Sequence, residues 1–225
     1  MDGTDVSSAR KACGLKQEDL AAKLGVSQGY VSLLERNQRA VPRHLATKMA
    51  SVLGMAPTVL PVRDAKTFKS DQAAKALGAL GYEPFGYLAH GRRLNPAEVL
   101  VAVLRTDDVD ARVVEALPWL LVRYSDLDWE WVVRSVKQDD GQNRLGFVLS
   151  LGKGLAESLR DAKAATSLGE WEQRLEKSRL QADDTFSRHT LTKAEVNWLR
   201  VHRSPEAARW NLLSTLSVES LPRAS

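Results

Sequence analysis

Catalysis in this 225-residue chain would have to be assembled from few parts. They are His44, His90, His189 and His202, the single cysteine Cys13, and acidic pairs such as Asp126/Asp128 and Asp139/Asp140. The histidines are far apart, with neither an HExxH pair nor a Cys/His set at zinc-ligand spacing. Gly152-Lys153-Gly154 lacks the GxxxxGK[ST] spacing of a phosphate loop and sits inside a helical pattern. The acidic pairs are explained by helix capping and turn formation. Cys13 falls at the end of the first helix, where a small apolar side chain packs. The reading is that the chain is not an enzyme and has no catalytic residue, metal site or cofactor.

A different chemistry has its parts together in Leu15–Leu34, LKQEDLAAKLGVSQGYVSLL. Leu20, Ala21 and Leu24 share one face of a first helix, and Ala21 is small enough for a second helix to come close. Gly25 tolerates the backbone of a tight turn, Val26 plugs that turn into a core, and Ser27 caps the helix that follows. Val31 and Leu34 (i, i+3) bury one side of that helix. Gln28, Gly29, Tyr30, Ser32 and Leu33 are left outward, where Gln28 is able to pair bidentately with adenine and Leu33 to meet a thymine methyl. This is the plan of a supporting helix, turn and reading helix for the DNA major groove.

The stretch resembles the phage repressor/Cro (Xre-type) helix-turn-helix family at Gln17, Ala21, Gly25, Val26, Ser27, Val31, Ser32, Leu34 and Glu35, followed by a closing helix at Leu45–Leu53. The resemblance covers about a quarter of the chain. It implies a compact domain of four or five helices, a homodimer, and a near-palindromic double-stranded DNA operator. It also implies that Gln17 grips a phosphate and buttresses the reading helix, and that Arg36, Asn37 and Arg39 touch the DNA backbone. Two departures stand out: Leu33 replaces a polar or basic reader, and Gly29 removes one. Direct readout then leans on Gln28, Tyr30 and Ser32, with a share left to DNA shape. The self-cleaving Ser/Lys domain of some related repressors needs a β-rich fold that is not written here.

Charge is segregated in the same sense. Residues 1–63 hold nine Lys/Arg against five Asp/Glu, whereas the rest of the chain holds 23 of each. The excess of the whole chain, +4, therefore lies in the first segment, the one expected to meet a polyanion.

The elements that must position these residues read as helices almost throughout, an all-α chain with a helix-turn-helix domain followed by a larger helical domain. Helices are expected at 5–12, 17–24, 28–36 and 43–53. The divisions are 1–58 for the DNA-binding domain, 59–70 for a linker, and 71–160 for a helical bundle that dimerises or binds a partner. Residues 161–190 read as a polar connector, a solvated helix or partly ordered, and 191–225 as a terminal helical pair. Within the bundle, Asn95-Pro96 opens a helix at Ala97–Arg105, and Val109–Tyr124 is expected to kink or divide at Pro118. Leu127–Lys137 and Asn143–Arg160 follow. Thr192 and Glu195 form a capping box for a helix to about Val201, and Ser204-Pro205 starts one at Glu206–Leu216.

All six tryptophans lie beyond the linker, at Trp119, Trp129, Trp131, Trp171, Trp198 and Trp210. Two placements of the terminal pair stay open. Trp198, Leu199, Trp210 and Leu213 lie along a groove on a partner protein, or the pair packs on its own domain or its dimer mate. The overall plan resembles that of antitoxins only in architecture. The expected function is a DNA-binding transcriptional repressor, an antitoxin-like autorepressor holding a protein partner such as a toxin encoded beside it. A ligand-sensing regulator and a DNA-binding adaptor in phage defence are the alternatives. No run of 18 apolar residues exists, which argues against a membrane span. An acidic, polar start and a lone cysteine fit the cytoplasm.

Overall fold

The computed structural model describes residues 1–62, 67–90, 93–186 and 191–222. Residue His189 and part of the expected linker fall outside this set. The chain divides into two compact units, residues 1–63 with 93–95, and residues 64–92 with 96–225.

The first unit is built from α1 (Gly3–Ala12), α2 (Gln17–Leu24), α3 (Gln28–Glu35), α4 (Arg43–Val52) and a 3-10 turn at Pro57–Val59. Each boundary has a local cause. Asp2 caps α1, accepting from the Asp5 amide, while Asp5 accepts from the Asp2 amide. Asp19 accepts from the Lys16 amide at the start of α2. Gly25 ends that helix with φ +75°, a left-handed geometry that most residues resist. Ser27 Oγ accepts from the Tyr30 amide and opens α3. The apolar stripes meet in one core of Val6, Leu20, Ala21, Leu24, Val31, Leu34, Leu45, Met49 and Leu53. Gly3 lies so close to the Leu34 carbonyl that a Cβ would collide with it. Leu60 is buried against Ala46 and Ala50, so this unit runs slightly past the expected boundary at 58. Cys13 is exposed rather than packed, its Sγ 3.5 Å from the Leu53 carbonyl.

The second unit comprises α5 (Ser70–Ala79), a 3-10 segment at Glu83–Leu88, α6 (Pro96–Leu104), α7 (Ala111–Arg123), α8 (Trp129–Lys137), α9 (Gln142–Ser158), α10 (Ala162–Glu176), α11 (Lys193–His202), α12 (Pro205–Arg209) and a last 3-10 turn at Val218–Ser220. Every residue of α6 is buried, and α9 is the hub on which α7 and α10 pack. Among the described residues there is no β-strand, and an isolated parallel bridge joins Asp184 to Leu212.

Four expectations are corrected here. Helix α7 is not divided at Pro118 but runs through it, with Leu117, Leu120 and Leu121 buried on both sides of the proline. Residues 162–176 take one of the two forms expected for them, a helix, but a packed helix and not a solvated one. They form α10, whose Ala164, Leu168 and Leu175 are buried and whose Trp171 stacks on Trp129 at 5.9 Å. The final helix is five residues long, not eleven, because Asn211 adopts φ +54° and turns the chain into an extended path. Trp210 and Leu213, expected among partner contacts, belong to this unit's own core. Trp210 is fully buried, its Nε1 donating to Ser150 Oγ at 2.9 Å. A methyl at Gly146 would overlap the Trp210 indole.

Candidate nucleic-acid interface

The outward face of α3 carries the expected readers. Gln28, Gly29 and Leu33 are exposed, Tyr30 and Ser32 half-buried, and Val31 and Leu34 anchor the helix from within. The loop after it, holding Arg36, Asn37 and Arg39, is exposed as well.

Behind that face lies a chain of side-chain bonds that begins in the core. Arg10 grips the buried Glu35 carboxylate with two bonds, Nε to Oε1 at 2.6 Å and Nη2 to Oε2 at 3.0 Å, and its Nη1 donates to the Leu15 carbonyl at 2.6 Å. Burial alone would raise the Glu35 carboxyl. Bonds from Arg10, Gln17 and Ser7 reverse that, holding it below the ordinary carboxylate range. Gln17 Nε2 donates to Glu35 Oε2 at 2.9 Å, and Gln28 Nε2 donates to Gln17 Oε1 at 2.7 Å.

The direction of this chain is forced. An ionised carboxylate only accepts, so Gln17 must turn its amino group to Glu35 and its oxygen to Gln28. Gln28 then spends one amide hydrogen on Gln17, leaving Oε1 and the second N–H outward. That is the donor–acceptor pair that matches N6 and N7 of adenine. Gln28 is thus oriented by Gln17 on the exposed side of α3.

The other residues are placed with equal definition. The Arg39 guanidinium sits 5.1 Å from the Tyr30 ring centroid, and Arg36 donates to Ser32 Oγ at 2.5 Å and to the Ser32 carbonyl at 3.3 Å. Asn37 takes φ +56°, and its Oδ1 accepts from the Gly3 amide at 2.7 Å, so that oxygen ties α1 to the loop. No atom lies within 4 Å of where a Gly29 Cβ would stand. Packing therefore does not explain the missing side chain.

Residues 6–60 match the family model described as helix-turn-helix. The first unit is a helix-turn-helix domain. The match stops where the first unit's own core ends, at Leu60. No curated protein and no solved structure matches the chain. The match covers about a quarter of the chain and is to the kind of domain that the residues of α2 and α3 led us to expect. Arg10 was not among the expected site residues. It stands one turn after Val6 on the inward face of α1, where a charged residue signals a buried partner. Among the described residues, no group of three or more His, Cys, Asp or Glu is placed to hold a metal, and no helix is long and apolar enough to cross a membrane.

Of the residues expected at a partner surface, Trp198 is exposed, stacked on His202 at 4.3 Å between ring centroids, and Leu199 is half-buried. Trp210 and Leu213 are inside the second unit. The four residues are thus not one surface.

Proposed function

We propose that the chain is a sequence-specific repressor of transcription, binding a near-palindromic double-stranded DNA operator as a homodimer. The observation that carries this reading is the Gln28 carboxamide, held outward by Gln17, Glu35 and Arg10 with an adenine-matching pair of atoms free. Tyr30, Ser32 and Leu33 extend the reading face, and Arg36 and Arg39 flank it for phosphate contact. Dimerisation follows from the symmetry of such operators.

The test is selection of binding sites from a random duplex library by the full chain, followed by titration on the winning duplex. A palindromic consensus and a 2:1 complex are expected. Replacing Gln28 and Tyr30 with alanine should abolish preference for that duplex, each contact being worth about 1–3 kcal/mol. Undiminished preference by the folded double variant would exclude α3 as the reading helix.

A second function, holding a protein partner in the manner of an antitoxin, is supported by α11 alone. That helix buries none of its residues, and its Trp198 and Val201 are 54% and 78% exposed. Co-purification of the full chain with the product of an adjacent gene, lost on Trp198→Ala, is the expected result. Retention of that product by Trp198→Ala would remove α11 from the reading.

A further inference from the structure

Between α7, α11 and residues 212–216 the second unit holds a cavity of about 300 Å³. That volume is at the small end of sites for organic ligands. Val114, Phe186, Leu199, Leu212, Leu213 and Leu216 supply its apolar wall. Among the residues lining it, Glu115 carries the one charge, and the remaining polar neighbours are Thr185, Ser214, Thr215 and Ser220.

Glu115 lies on α7, half-buried, and among the described residues it accepts no hydrogen bond and joins no ion pair. Its charge acts only through space. The buried Tyr82 phenol is pushed up by burial and further by Glu115, and Arg112 feels the same carboxylate. Arg112 is not a substitute counter-ion. Its guanidinium points to Asp110 at 3.1 Å and is largely solvated. A half-buried carboxylate on the lining of a partly apolar cavity gains a charge-assisted bond when a positive group is brought to it.

The walls differ in firmness. Val114, Leu212 and Leu213 are core residues, whereas α11 buries nothing and is tied to the unit by ion pairs from Arg200 and Arg203 to Asp183, at 2.8 and 3.3 Å. Surface pairs of that kind hold weakly, so α11 is the less firmly held of the cavity's walls.

We propose that this cavity binds a small lipophilic amine, its ammonium on Glu115 and its hydrocarbon body against Phe186, Leu199 and Leu213. The site lies within the second unit and stands independently of the operator reading.

The test uses the full chain, isothermal titration, and three amines of graded size: cyclohexylmethylamine, 2-phenylethylamine and tryptamine. Indole-3-acetamide and indole-3-propionate serve as neutral and anionic counterparts of the last. At least one amine should bind saturably at one site and raise the melting temperature, with the neutral and anionic counterparts of tryptamine at least about tenfold weaker. Glu115→Gln should lose about tenfold or more in amine affinity while melting unchanged without ligand. Thr215→Trp, an exposed position on the cavity wall, should also weaken binding and keeps the test open if Glu115→Gln misfolds. Three outcomes overturn the proposal: no saturable binding by any of the amines, equal binding of indole-3-propionate, or amine affinity unchanged in both variants.

Discussion

The Glu35 carboxylate serves two purposes, satisfying a buried Arg10 and fixing Gln17, and single substitutions separate them. Arg10→Met leaves the buried Glu35 without its counter-ion, which should destabilise the chain's first unit by about 3–5 kcal/mol. Replacing both, Arg10→Met with Glu35→Leu, should restore most of that stability, since apolar replacement of a buried pair is often neutral or better. Operator affinity should stay reduced in the double variant, because Gln17 has lost its acceptor. Urea melts and titrations on one duplex check both halves. The same carboxylate sets a pH limit. Its folded value lies below the ordinary one of about 4.3, so its contribution is complete above that pH and is lost as pH falls through the folded value. Denaturation midpoints of the first unit should therefore drop on the acid side of about pH 4, and the double variant should drop less. Gly29 gives a second prediction. Ala there meets open space in a helix, so Gly29→Ala should stabilise by about 0.5–1 kcal/mol. If the missing side chain admits a close-lying base or phosphate, the same change should weaken operator binding. A variant both stabler and tighter would show that Gly29 serves neither purpose.

Among the elements, the sequence was most legible where periodicity and caps agree. Gln17–Leu24 and Gln28–Glu35 begin and end where Asp19, Gly25 and Ser27 demand, and the match to Val31 and Leu34 as inward residues is complete. Helix α5 was illegible because its buried face is Ala73, Ala74, Ala76, Leu77 and Gly78. Small residues weaken any amphipathic signal, and their function is the close approach of Phe85 over Gly78. The burial of helix α10 was hidden for the opposite reason. Polar residues surround a sparse apolar stripe, and its most buried polar side chain, Glu172, is satisfied by Ser150 and Arg209, which are remote in sequence. The Arg10–Glu35 link was hidden likewise, its halves 25 residues apart. If α10 is integral, Leu168→Ala should cost about 2–5 kcal/mol, the range for emptying a buried leucine site. Gly146→Ala should cost at least as much, since the added methyl must displace Trp210. Loss of near-UV ellipticity at lower denaturant is the readout for both. A solvated connector would leave the Leu168→Ala melt unmoved.

Across the whole molecule, charge divides at the boundary between the two units. All of the net +4 lies in residues 1–63, and Arg36 and Arg39 stand at the edge of the reading face. Alanine at either should weaken binding to every duplex by a similar factor and reduce the slope of log affinity against log salt by about one. A change confined to one duplex sequence would instead make that arginine a base reader.

The burial of Trp210 also bears on how the chain is made. A ribosome delivers residues in order, and the core that ends at Leu60 is complete early, whereas the second unit waits for Trp210, which must seat its indole on Gly146. Its closing contacts join segments distant along the chain, which is a slow kind of folding. For part of each synthesis cycle, then, a nascent chain has a finished helix-turn-helix core and an unfinished second half, and a message truncated before residue 210 would yield a polypeptide with the first and not the second.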